Sequence, residues 1–172
     1  MSNNPDSEDV LELATIHRLV ELGWTDWANC YEETATNCAI SDRQTRAEVI
    51  LQQRLLAALQ RFNPDLPSEA IDSAVAELSR DRSTMPLVNA NAEIYSYLKE
   101  GVPVEYQDAE GGRQRALVKV LNWQQPEHND FFLAQQLWIT GPHHTRRTDL
   151  IGFVNGLPLL LIELKKASVK LK

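Results

Sequence analysis

Asp149-Leu-Ile-Gly-Phe-Val-Asn-Gly-Leu-Pro-Leu-Leu-Leu-Ile-Glu-Leu-Lys165 is the stretch that decides the reading of this chain. Two apolar segments, Asp149 to Val154 and Leu157 to Leu164, flank Asn155-Gly156, a strong short-range hairpin signal. The second segment is apolar on both faces, which predicts a central, buried strand. Glu163 continues the face of Leu159 and Leu161, and Lys165 follows two residues later on the same side. A buried carboxylate there costs several kcal/mol of desolvation unless it is paired or bound to a cation. An ion pair at the fraying strand end is the plainer account.

The turn decides whether Asp149 meets Glu163. With Asn155 and Gly156 as a two-residue loop, Val154 pairs with Leu157, Asp149 pairs with Ile162, and the two carboxylates emerge on opposite faces. With Val154, Asn155 and Gly156 as a three-residue loop, Asp149 opposes Leu161 and shares a face with Glu163 and Lys165. The expectation is therefore an odd-length loop, or a bulge of the same effect. Two carboxylates so placed repel unless a divalent cation lies between them, and oxygen ligands that leave room for water and phosphate suit Mg²⁺. The main-chain carbonyl of Leu164 is a further candidate ligand. Lys165 is placed to orient an attacking water or to offset charge in a transition state. Arg146, Arg147 and Lys166, beside the acids, are candidate contacts for a DNA backbone, although a solvated basic loop is the commoner meaning of such residues.

Outward from this hairpin, the period of two continues upstream. Val102, Val104 and Tyr106, a turn over Asp108 to Gly112, and Ala116 to Asn122 predict two strands, and Phe131 to Ile139 predicts a third. His143 to Thr148 reads as a polar connection, and Lys165 to Lys172 as the start of a helix. The first hundred residues read as mostly helical: about 8 to 22, with Ser7 or Asp9 as cap and Gly23 as stop; 45 to 62, ended by Asn63-Pro64; a helix opened by Pro67-Ser68; and Val88 to Lys99. Glu12 lies four and seven residues before Ile16 and Leu19, at the edge of the core-facing stripe of the first helix. That is an odd place for an idle charge, the alternative being a side chain that snorkels or favours the positive helix start.

Length and composition fit one ordinary globular domain. A chain of 172 residues buries roughly 70% of its unfolded surface, and 43% hydrophobic with 24% charged residues suggests neither disorder nor a fibrous repeat. The polar, acidic start lacks the features of a signal peptide, no apolar run approaches a membrane span, and Cys30 and Cys38 read as reduced thiols, so a cytoplasmic protein is expected. The histidines form no metal-binding or nucleophile-activating pattern. The net charge of -7 is uneven: residues 1 to 110 hold 8 basic against 20 acidic residues, net -12, and residues 111 to 172 hold 9 against 4, net +5. A local basic surface suits phosphate even in an acidic protein.

An Asp, a hairpin and then Glu-x-Lys resembles the signature of PD-(D/E)xK nucleases. The likeness extends to Glu12 through Trp24, Asn63-Pro64 through Ala70, Gly101-Val-Pro-Val-Glu-Tyr, Asn129-Asp-Phe-Phe-Leu-Ala, and Phe153-Val-Asn-Gly-Leu-Pro. Together these segments, covering most of the chain, resemble the amino-terminal region of type I restriction enzyme R subunits. The resemblance implies an α/β, restriction-endonuclease-like mixed sheet flanked by helices, in a single domain over 1–172 with a helical part at 1–100 and a catalytic sheet at 101–172. It implies Mg²⁺-dependent DNA cleavage away from the recognition site when an ATP-driven motor stalls, in an assembly with methylation and specificity subunits.

Carried over by motif, Asp149 and Glu163 become metal ligands, Lys165 the catalytic lysine and Glu12 a supporting acid. Thr148 stands where the family usually has proline. No Gly-x-x-x-x-Gly-Lys-Ser/Thr loop occurs, so ATP is expected to act only through motor domains, before which the chain is expected to be cut off. The family's Gln-x-x-x-Tyr element is likewise not reached. An inactive assembly or docking fragment of the same subunit is the alternative. A stand-alone nuclease such as a junction resolvase fits the triad but explains the helical first part poorly.

Overall fold

Glu8 and Asp9 favour the positive start of the first helix, and Gly23 ends it: with φ at 101°, it lets the Trp24 N–H reach the Leu19 carbonyl at 3.0 Å and its own N–H reach that of Val20 at 3.0 Å. The structure is a computed structural model that describes residues 8–24, 26–32 and 43–165. Its elements run α1 (Glu8–Glu21), β1 (Asp26–Asn29), α2 (Gln52–Phe62), α3 (Ser68–Leu78), α4 (Leu87–Glu100), β2 (Val102–Gln107), β3 (Arg113–Val118), β4 (Phe131–Gln135), β5 (Trp138–Thr140), β6 (Thr145–Arg147), β7 (Leu150–Val154) and β8 (Leu157–Ile162). The fold is mixed α/β. No helix among the described residues is long and apolar enough to cross a membrane.

Two compact units share the chain, one from the described parts of Met1–Leu51 and Phe131–Lys172, the other from Gln52–Asp130. In the second unit, α2, α3 and α4 precede the antiparallel hairpin β2–β3, which pairs Val102 with Val118 and Gln107 with Arg113. Asn63, the expected helix stop, is buried because its side chain closes a loop: it donates to the carbonyls of Leu59 and Lys119 and accepts the Lys119 N–H at 2.9 Å.

In the first unit the sheet runs β1-β4-β7-β8, with β1 parallel to β4 and the other pairs antiparallel. Alternation gives it two apolar faces. Leu133 and Leu150 pack with Ile16 and Leu19 of α1, with Leu160 and Ile162 beside them; Phe132, Ala134, Ile151 and Phe153 pack with Cys30, Leu51 and Leu137. Each fully buried side chain of this size stabilises by roughly 1.5–3 kcal/mol.

The structure departs from the sequence reading at definite places. The helix expected from residue 45 begins at Gln52, because Leu51 is held by its N–H on the Gly156 carbonyl at 2.9 Å. Strand β1 was not expected. The strand expected over Phe131 to Ile139 is divided at Gln136, and the expected polar connection contains β6. The register nevertheless runs on, since Gln135 pairs with Leu150 and Trp138 with Arg147, so both halves belong to one bent antiparallel pair. The expectation that Leu157 to Leu164 is a central, buried strand is corrected: β8 is the edge of its sheet, and Leu159 and Leu161 are 43% and 62% exposed. Pro158, which has no N–H to give a further strand, suits an edge. The helix expected beyond Lys165 lies outside the described residues.

Gly152 of β7 lets Trp24 lie against the sheet. A Cβ there would meet Trp24 Cη2 at 2.5 Å and Leu160 Cβ at 3.0 Å. Gly152→Ala is therefore expected to destabilise the protein by about 1–3 kcal/mol, read as a lower urea midpoint. An unchanged midpoint would show that the tryptophan seat is not tight.

Candidate functional site

At the tip of the β7–β8 hairpin Asn155 and Gly156 have φ of 51° and 78°, and Val154 pairs with Leu157, so the loop has two residues. Taken alone, that loop would send Asp149 and Glu163 to opposite faces. The register shifts inside the hairpin: Phe153 pairs with Pro158 but Gly152 pairs with Leu160, leaving Leu159 as an extra residue. Leu150 therefore opposes Ile162, and the same register carried one step further sets Asp149 against Glu163. The odd-length loop does not form, and a bulge supplies its effect.

Asp149 is half-buried at the bend before β7. Its Oδ2 accepts the N–H of Leu164 at 2.6 Å, a short charge-assisted bond that ties the start of one strand to the end of the next. Glu163 is less buried than expected: its side chain and that of Lys165 are each 48% exposed, and Lys165 Nζ stands 3.8 Å from Glu163 Oε2. This pair is the ion pair weighed from the sequence, and at such exposure it contributes little stability. Lys165 Nζ also donates to the Leu164 carbonyl at 3.1 Å, so Leu164 holds Asp149 by its N–H and Lys165 by its oxygen.

Helix α1 brings Glu12 to the same region. Its side chain is buried, only 5% of the residue being exposed, and its Oε1 accepts the Gln136 amide at 2.6 Å. Gln136 in turn donates its backbone N–H to the Asp149 carbonyl at 2.8 Å, from a left-handed backbone with φ at 58°. One residue thus links Glu12 to Asp149. Glu12 and Asp149, with Glu8 and Asp9, line a cavity of about 560 Å³ to which β1 contributes Trp27 and Asn29. Glu163 and Lys165 are not among its lining residues, although Leu164 between them is.

Of the basic residues, Arg147 lines the cavity, while Arg146 is its exposed neighbour on β6, paired with Ile139. Lys166 and Cys38 lie outside the described residues. No group of three or more His, Cys, Asp or Glu side chains among the described residues gathers as a ready-made metal cage. The lining has no His or Cys, so its donors are oxygens of the kind that suit a hard cation with water among its ligands.

Sequence reasoning missed Gln136, Trp27, Asn29 and Tyr31. The last three alternate along β1 and its continuation, a signal that counts only once that short segment is known to be a strand. Nothing in the sequence marks Gln136, because a glutamine at positive φ leaves no compositional trace.

The model of the family described as type I restriction enzyme R protein N terminus matches residues 5–172 of this chain. Among curated proteins, the chain is 32% identical over 161 residues to the type I restriction enzyme HindI endonuclease subunit of Haemophilus influenzae, covering 92% of this chain and 15% of that protein. It is 28% identical over 160 residues to a putative type I restriction enzyme MjaIXP endonuclease subunit of Methanocaldococcus jannaschii, covering 91% of this chain and 15% of that protein.

The Gln136 linkage has separable parts. Gln136→Gly keeps the left-handed backbone but takes the amide donor from the buried Glu12, so its stability is expected to fall by about 1–3 kcal/mol. Gln136→Val, β-branched at a positive φ, is expected to fall by a further 1–3 kcal/mol or so. Urea midpoints of the two variants decide this, and equal values would mean that the backbone conformation carries no cost.

Proposed function

This chain belongs to the family of type I restriction enzyme R protein N termini, and we propose that it is a Mg²⁺-dependent DNA endonuclease domain of restriction-endonuclease-like fold, hydrolysing phosphodiester bonds at Asp149, Glu163 and Lys165. The observation that carries the reading is the extra residue Leu159 in β8, which pairs Leu150 with Ile162; the same register carried one step further would set Asp149 against Glu163. The chain spans 15% of the length of the curated relatives it matches. Its place in an assembly with methylation and specificity subunits in the cytoplasm, with ATP consumed by motor domains elsewhere in the subunit, is part of the same proposal.

The carboxylates of Asp149 and Glu163 would hold the Mg²⁺, which would supply positive charge against the scissile phosphate and acidify the attacking water. The chain's own groups do the rest. Asp149 is held in place before substrate arrives by the Leu164 N–H, so little reorganisation is needed when charge develops. Lys165 carries its charge beside Glu163 on a flexible stem, and a turn away from the Leu164 carbonyl directs it to the phosphate or the water and frees that carbonyl as a further ligand. Glu12, fixed by the Gln136 amide, is a supporting acid facing the same cavity. Arg147, at the cavity, is better placed than Arg146 to hold the DNA strand.

A second reading, an inactive docking fragment of the same subunit, is favoured by the exposed Leu159 and Leu161 on the edge strand, which suit a protein partner. Metal dependence separates the two. Nicking of supercoiled plasmid in Mg²⁺, with Mn²⁺ binding measured in parallel, is expected to fall by at least about 100-fold in Asp149→Ala and in Lys165→Ala. Mn²⁺ binding is expected to weaken in Asp149→Ala and persist in Lys165→Ala. Equal nicking by wild type and Asp149→Ala would overturn the nuclease assignment, and a wild type that neither nicks nor binds Mn²⁺ would leave the docking reading.

A further inference from the structure

We propose that Trp27 and Tyr31 form a stacking site for unpaired nucleobases, so that the DNA strand delivered to Asp149 is locally single-stranded. The inference rests on the nuclease reading and names the form of its substrate.

Strand β1 is an edge strand, and its alternation directs Trp27, Asn29 and then Tyr31 to the cavity that Asp149 and Glu12 line. Two large aromatic side chains are left in water there: Trp27 is 44% and Tyr31 53% exposed. Tyr31 is not loose. Its carbonyl accepts the indole N–H of Trp138 at 3.1 Å, its own N–H is held by the Asn29 side chain at 2.9 Å, and the Arg147 guanidinium lies 4.8 Å from its ring centroid. Arg147 also lies 5.6 Å from the ring of Trp138, over which Arg46 stands at 5.2 Å. The result is a braced stack of aromatic and guanidinium planes at the cavity, with Trp27 beside it.

Charge decides what such a stack can take. Among the described residues, Glu8, Asp9, Glu12 and Asp149 line the cavity with one cation, Arg147. Those carboxylates repel the phosphates of duplex and single strand alike, so phosphate contacts beyond Arg147 do not seat the strand here. Attraction must therefore come from the faces of the bases, which stack on aromatic rings and guanidinium planes regardless of sequence. In a duplex those faces are hidden, and only base edges and phosphates are offered. Only a frayed, flipped or single-stranded nucleotide presents the surface that Trp27 and Tyr31 match.

The test compares three labelled probes by fluorescence anisotropy in EDTA, where no strand is cut: an oligothymidylate, the same oligonucleotide with abasic sugars at its centre, and a duplex of equal length. Backbone charge is alike in the first two, so their ratio isolates stacking. The wild-type chain is expected to prefer the oligothymidylate over the abasic strand by roughly 5- to 150-fold and to bind the duplex no better than the abasic strand. Trp27→Ala and Tyr31→Ala are expected to bring that ratio close to one, and Trp27→Phe and Tyr31→Phe to keep most of it. A wild type without the preference, or alanine variants that retain it, would overturn the proposal and mark these rings as ordinary exposed surface. Failure is distinguishable from that of the nuclease reading, because Asp149-dependent plasmid nicking is scored separately and does not depend on the ratio.

Discussion

Between Pro158 and Leu160, strand β8 carries Leu159, for which β7 offers no ladder partner. A side-chain period of two makes register unforgiving: one residue more or less on one strand exchanges its faces for every position beyond. Here the two-residue turn would set the acids apart, and Leu159 reverses that setting before the strand reaches Glu163. From there the Leu164 N–H closes on Asp149, and the Lys165 amine on the Leu164 carbonyl. The first of these contacts, which crosses between the strands, depends on the register that the bulge sets.

A second constraint acts from the other strand. Gln136 sits where the bent pair made by β4 with β5 and β6 with β7 changes direction, and its left-handed backbone is what the bend requires. The backbone N–H that it gives to the Asp149 carbonyl keeps the pair in register through the bend, while its side chain reaches Glu12. The acid on α1 and the acid before β7, separated by most of the chain, are coupled by one residue. That residue carries no charge and matches no motif.

What was legible in the sequence was whatever periodicity and turn chemistry express. The helices α1, α3 and α4, strand β2 and the turn at Asn155-Gly156 follow from apolar spacing, Pro and Gly and form close to their expected places, whereas β3 spans Arg113–Val118 and not Ala116 to Asn122. The condition on the hairpin, that an odd loop or a bulge must intervene, was also readable, since it follows from counting; which device would supply it was not, because a bulge depends on packing across the sheet. Strand β1 was invisible because Asp26-Trp-Ala-Asn29 has no alternation of its own and is made a strand by its parallel partner β4. The misreading of β8 as central has a similar cause. Leucines on both faces signal burial on both faces, and the countersignal is Pro158, which suits an edge.

The edge position of β8 gives the bulge a further consequence. An exposed strand with Leu159 and Leu161 on one face offers unpaired backbone groups to any other strand, a hazard that proteins reduce with proline, charge or a local twist. Pro158 removes one donor, Leu159 bends the strand, and Glu163 with Lys165 places both signs of charge at its end. These are the devices that also define the candidate site. A central strand could not have carried them, since a bulge would break two ladders and the charges of Glu163 and Lys165 would be buried at a cost of several kcal/mol each. On the edge, the interruption disturbs one ladder and the charges keep their water. The exposure that contradicts the expected burial thus follows from position: among the described residues no strand pairs with the outer side of β8, so its end can carry Glu163 and Lys165 without desolvating them.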